Sequence, residues 1–229
     1  MKKLGIFIGI LSVIAIMILT LIPSLKESFG LISTFGVLSI LVSTYIYFEK
    51  SKIGVKEIAF LGTLSGFIAM SRVVFAPLPN VKPVTFLVAA TGYVFGVYEG
   101  FIVGATSAFL SNIFFGQGPW TPWQMFSWGL VGAISGVLGN KNKERNMGIL
   151  KFSILCFIFG FMFDWIMNIW HIVVFLKTTN AIEILGVFIS GLPFDILHGG
   201  GSFIFSMIFY EKILKIFKRY RKKLYVKRI

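Results

Sequence analysis

Charge is what this chain has least of. Asp and Glu number nine in 229 residues, and charged residues together make up 14%, against about a quarter in soluble domains. That scarcity excludes a soluble globular fold, and a mean hydropathy of +0.86 with 56% hydrophobic residues defines an integral membrane protein. Cysteine is limited to Cys156, in an apolar run, so no internal disulfide can form. The two histidines come without an HExxH pattern or clustered cysteines, so the ligand spacing of a zinc enzyme is missing and no metal and no cofactor is expected. The P-loop, the nucleophile elbow and the phosphate-cradling glycine loop are absent too. This excludes ATP hydrolysis by the chain itself and leaves no catalytic residue to assign.

What is present is a series of apolar runs. They read as spans at about 4–22, 29–48, 57–75, 84–97, 100–114, 123–138, 149–176 and 184–210, the longer ones sufficient at about 1.5 Å per residue to cross a ~30 Å hydrocarbon layer. A net charge of +13 suggests nucleic acid at first sight. Yet of the 22 Lys and Arg, all but Lys26, Arg72, Lys82 and Lys177 fall at the termini or in the turns near 50–56 and 141–151. That is the pattern of a positive-inside topology with both termini cytoplasmic, so the expected partner is the lipid bilayer and not nucleic acid. The same layout puts the loops near 75–83, 115–122 and 177–183 together on the outer face.

One of those loops stands out. Asn112 to Trp128, NIFFGQGPWTPWQMFSW, carries Gly116, Gly118, Pro119 and Pro122, which interrupt a helix. It also brings Asn112, Gln117, Thr121 and Gln124 beside Trp120, Trp123 and Trp128. Hydrogen-bonding amides and flat aromatic faces in one loop suit a ligand, and equally an interfacial aromatic belt. The proline loop, FAPLPNVKP, adds Asn80 and Lys82. Asp164, Asn168 and His171 recur at i, i+4 and i+7, one helical stripe, and Asp195 and His198 form a second pair in the last span. Ionisable groups at such depth require a polar interior, partners across helices, or a proton pathway. Arg72 carries the same requirement. The pairs Gly62/Gly66 and Ser65/Ala69, each four apart, read as one flat stripe for a packing partner, within the chain or outside it. Gly92, Gly96, Gly100, Gly104 and Ala108 straddle an expected tight turn at VYE, so we expect two short helices that pack closely on neighbours.

Several strings resemble the substrate-binding membrane subunits (S components) of energy-coupling factor (ECF) vitamin transporters. They are APLPNVKPVTF (76–86), GYVFGVYEGFIVGATSAFLSN (92–112) and FFGQGPWTPWQM (114–125), with Phe163-Asp164, Asn168 and PFDILH (193–198) as lesser support. The resemblance covers about residues 56–212. It implies an all-α, six-helix membrane core at 51–212, preceded by two extra transmembrane helices in 1–50 and followed by a basic cytoplasmic tail, 213–229. It further implies a cell-membrane protein of a prokaryote that captures a vitamin-like molecule from outside and docks on an ECF transmembrane coupling subunit driven by two ATPases. Gly62, Ser65, Gly66 and Ala69 match the family's docking motif, and the extra helices threaten to crowd that face. The GQGPWTPWQM string resembles members assigned to cobalamin. The expected ligand contacts are Asn80, Lys82, Gln117, Trp120, Trp123, Gln124, Asn168, His171, Asp195 and His198. The alternative is a stand-alone proton-coupled transporter working through the Asp/His pairs.

Overall fold

A computed structural model describes residues 28–49, 54–141, 147–177 and 180–225. The span expected at 4–22, the turn residues 142–146 and the last four residues lie outside the described ones. Within them the chain forms helices α1 (Phe29–Glu49), α2 (Val55–Val74), α3 (Val84–Phe95), α4 (Val97–Phe115), α5 (Thr121–Lys141), α6 (Ile149–His171) and α7 (Ala181–Tyr225), with a wider π-type turn over Ile172–Leu176 after α6. No strand occurs among the described residues. Five of these helices, α1, α2, α4, α6 and α7, are long and apolar enough to cross a membrane.

The short helix α3 is the centre of the bundle. Every one of its 12 residues is buried, and Phe86, Val88, Ala89 and Val94 join Ile68, Val103, Val131, Phe152 and Phe159 in the main apolar core. Around it α4 and α5 approach to backbone contact. A Cβ at Gly100 would fall 2.8 Å from the Gly132 carbonyl carbon, and one at Gly104 would fall 2.6 Å from that of Trp128. The glycines spaced by four therefore do what the sequence suggested, and let two helices lie flush on a third.

The break between α3 and α4 sits one residue earlier than expected. Gly96 holds φ 131°, a region that essentially only glycine occupies, so Val97, Tyr98 and Glu99 form the first turn of α4 instead of a loop. The tryptophan loop is likewise shorter than its composition implies. Phe115 ends α4 and Thr121 begins α5, leaving 116–120 non-helical, because Pro122 sits in the first helical turn, where its missing N–H costs nothing. The last helix does not stop near 210. It runs 45 residues to Tyr225 through Pro193, about 67 Å at 1.5 Å per residue. Its far end stays attached because Leu214 and Phe217 are buried in the core and Tyr220 stacks on Phe60 at 5.1 Å.

α1, the expected N-terminal helix that falls among the described residues, lies along α4 and α5. Val37 and Leu41 pack with Phe101, Ala105 and Trp123, and the Tyr45 hydroxyl meets Thr106 Oγ1 at 2.7 Å. It leaves this face of α2 uncovered: among the described residues, a Cβ at Gly62 or Gly66 would meet nothing within 4 Å. The expected single small-residue stripe is in fact two. Gly62 and Gly66 open outward, while Ser65 and Ala69 are buried, with the Ser65 carbonyl accepting a bond from Ser107. The reason is angular, since a three-residue offset turns about 60° short of a full circle.

Candidate functional site

The loops 75–83 and 116–120 and the π-type turn Ile172–Leu176 gather at one end of the bundle, hereafter the loop end. Here α2 delivers Arg72. Its Nη1 donates to Ser111 Oγ and Asn112 Oδ1, both at 2.7 Å, and its guanidinium lies 4.6 Å from the centre of the Phe115 ring and 4.9 Å from that of Trp128. Two acceptors and two aromatic faces are how this cation is accommodated at depth. Asn112, buried on α4, passes the network on, donating from Nδ2 to Thr121 Oγ1 at 3.1 Å and Gln124 Oε1 at 2.8 Å. Thr121 in turn donates to Gln117 Oε1 at 3.0 Å and accepts from the Gly118 N–H. This pins the short loop to the start of α5.

A second arm runs inward from Trp128, which is stacked on Phe163 at 4.1 Å. Its indole N–H donates to Thr85 Oγ1 at 3.0 Å, Thr85 lies 2.7 Å from His198 Nε2, and His198 Nδ1 lies 3.0 Å from Asp164 Oδ2. With the imidazole proton on Nδ1, all three links are satisfied in one direction, from indole to hydroxyl to imidazole to carboxylate. Asp195, 2% exposed, accepts from Trp165 Nε1 at 3.1 Å. Each of the helices α2 to α7 thus contributes to one polar and aromatic network. Lys82 borders it from the proline loop, where burial and then the Arg72 charge push its ammonium below the usual range, with Asp164 opposing them.

The expected ligand residues divide. Asn80 Nδ2 reaches the Phe194 carbonyl at 3.2 Å, and Lys82 Nζ reaches that of Leu78 at 3.3 Å. Gln117, Gln124 and His198 are in the network, while Asp195 is bonded to Trp165 outside it. Trp120 is half-buried over Gly118 and meets Trp170 edge-on at 6.3 Å. Trp123, by contrast, turns to the extra helix, 7% exposed with its N–H on Thr34 Oγ1 at 3.2 Å. His171 stays on the predicted stripe, seven helical residues after Asp164, but is exposed at the end of α6, its ring 5.4 Å from that of Phe175. Asn168 faces α7, where a Cβ on Gly191 would lie 3.1 Å from its Nδ2. That nitrogen and the indole nitrogen of Trp170 are buried donors with no partner among the described residues, and two residues apart on α6 they point about 160° from each other. Sequence reasoning missed Thr85 and Trp170. A threonine in the first turn of an apolar helix carries no signal, and Trp170 looks like any aromatic at a membrane interface.

His198→Ala strips Thr85 and Asp164 of their shared partner. The expected cost is about 3 kcal/mol, because a buried hydroxyl and a largely buried carboxylate each lose a hydrogen-bond partner, and His198→Gln should recover part of it. Thermal unfolding of the detergent-purified variants, followed by size exclusion, measures both.

A multi-pass helical membrane protein that converges polar and aromatic groups at one end, and holds no nucleotide-binding motif, is built to bind a small solute. The family model described as ECF-type riboflavin transporter, S component, matches residues 52–215, and the chain belongs to that family. It is therefore a substrate-binding membrane subunit of a vitamin transporter, resident in the cell membrane, and its family is one of transporters and not of enzymes. Neither the curated proteins nor the solved structures gave a match.

Proposed function

We propose that the loop end faces the exterior and captures a flat heteroaromatic micronutrient, which is released inward after the chain docks on a coupling subunit powered by two ATPases. The observation that carries this reading is the convergence of α2 to α7 on the Arg72–Asn112–Trp128–His198 network beside a half-buried Trp120. Riboflavin is the first candidate, because the matching family bears its name. Cobalamin, suggested by GQGPWTPWQM, is the second, and the geometry favours the smaller ring. Trp123 and Trp128 are 7% and 3% exposed, which leaves Trp120 as the accessible tryptophan of that string.

A proton-coupled carrier fits less well. His171 is exposed and apart, Asp195 is engaged by Trp165, and Asp164 by His198, so the four groups form no continuous relay. Uptake into proteoliposomes discriminates: the proposal expects none without the ATPases at any pH gradient, and gradient-driven uptake by the chain alone contradicts it.

The outward glycines of α2 supply the docking face. Because nothing lies within 4 Å of a Cβ at Gly62, Gly62→Leu should leave folding and ligand affinity unchanged while uptake by the assembled transporter falls at least tenfold. Parallel binding and uptake assays check this, and equal loss in both removes the assignment.

A further inference from the structure

At the opposite end, the beginning of α2 and the extended last turns of α7 enclose an open groove of about 1390 Å³. Its walls are largely carbon, among them Phe60, Ile213 and Tyr220, and its charged lining is Lys56, Lys222 and Lys223 at the rim against one carboxylate, the buried Glu57, which leaves an excess of positive charge. The capture network makes no use of it. Nor does α1 cover it, since that helix packs on α4 and α5. Two features identify its occupant. The apolar walls call for hydrocarbon, and three ammonium groups at the rim call for a negative charge located where the hydrocarbon ends. An acyl chain with an anionic headgroup combines both, and basic pockets between transmembrane helices are where such headgroups bind. A free phosphate satisfies the rim and leaves the walls bare, and a neutral lipid does the reverse.

We propose that this groove is a binding site for one anionic phospholipid. The headgroup sits among Lys56, Lys222 and Lys223, and the acyl chains lie against Phe60, Ile213 and Tyr220. The site explains why α7 continues helical for about four turns past residue 210: the extension supplies one wall and most of the rim. It holds or fails independently of which vitamin is captured.

The test is native mass spectrometry of the detergent-purified chain titrated with phosphatidylglycerol or with phosphatidylcholine of identical acyl chains. Phosphatidylglycerol should bind at least tenfold more tightly, with one lipid retained per chain. The triple change Lys56→Gln, Lys222→Gln, Lys223→Gln should abolish that preference, whereas Lys212→Gln, Lys215→Gln, Arg219→Gln, which removes as many charges outside the groove, should keep it. A second variant, Thr63→Trp, fills the groove without touching its charges and should also lower retention of phosphatidylglycerol. Equal binding of the two lipids, or equal losses in the two triple variants, overturns the proposal. So does a groove whose filling leaves lipid retention intact but stops co-purification with a coupling subunit, which would make it a protein interface.

Discussion

Gly132→Leu is expected to yield no folded protein, and Gly132→Ala to lose about 3 kcal/mol or more, at or beyond the upper end of what overpacking costs in cores. The cause is backbone meeting backbone. A Cβ on Gly132 would sit inside the Gly100 carbonyl and 2.9 Å from the Gly100 Cα, so no rotamer change relieves it and α4 and α5 must move apart. Moving them apart disturbs more than one contact. Gly92, Gly104, Gly136 and Gly139 also lie against neighbouring backbone, and Ser135 donates to the Ala89 carbonyl at 2.7 Å across the adjoining α3–α5 seam. Gly200→Ala is the matched control. Nothing lies within 4 Å of its Cβ, so it should be neutral or slightly stabilising through helix propensity. Thermal unfolding of the two alanine variants in detergent provides the comparison, with the yield of monodisperse Gly132→Leu beside it, and similar melting for Gly132→Ala and Gly200→Ala would contradict the packing described.

The second large effect is on binding. Trp120→Ala should weaken the vitamin about 10- to 100-fold, since a base-like ring stacked on an aromatic side chain gains about 1–3 kcal/mol. Folding should hardly change, because the indole is half-buried and lies over Gly118 and beside Trp170 at the mouth of the bundle. Trp170→Phe sharpens the result. It deletes an N–H that bonds nothing among the described residues, so the described fold loses no hydrogen bond, while a ligand that uses the donor loses about 1–3 kcal/mol. Isothermal titration beside thermal unfolding separates the two quantities. If both changes lower stability and leave affinity alone, the tryptophans are a membrane belt and not a binding surface.

Much of this architecture was legible because the membrane leaves few options. Apolar run lengths, the Gly-rich spacing of 92–108 and the one-sided distribution of Lys and Arg sufficed to lay out the helices seen in the described residues. The errors came where local signals compete. Pro122 marks a break, yet a proline in the first turn begins a helix as readily as it ends one. Val97 to Glu99 read as a turn because the deciding residue, Gly96, lies just before them. At the site, residue types were more legible than directions. Asn112, Gln124 and His198 announce themselves as polar groups in apolar runs, but periodicity within α5 gives no hint that Trp123 will be claimed by Thr34 of a helix nearly ninety residues away. Similarly, Asp164 and His171 share a stripe, and only the approach of α7, which brings His198 to Asp164, decides that Asp164 is paired while His171, two turns further on, is exposed.

The most direct test is fluorescence titration of the purified chain, free of any partner subunit, with riboflavin and then with cobalamin and a panel of other vitamins. One compound should bind with sub-micromolar affinity and a stoichiometry of one, quenching tryptophan emission in a manner that Trp120→Ala reduces. Absence of sub-micromolar binding by every compound in the panel would contradict the assignment of the loop end as a capture site.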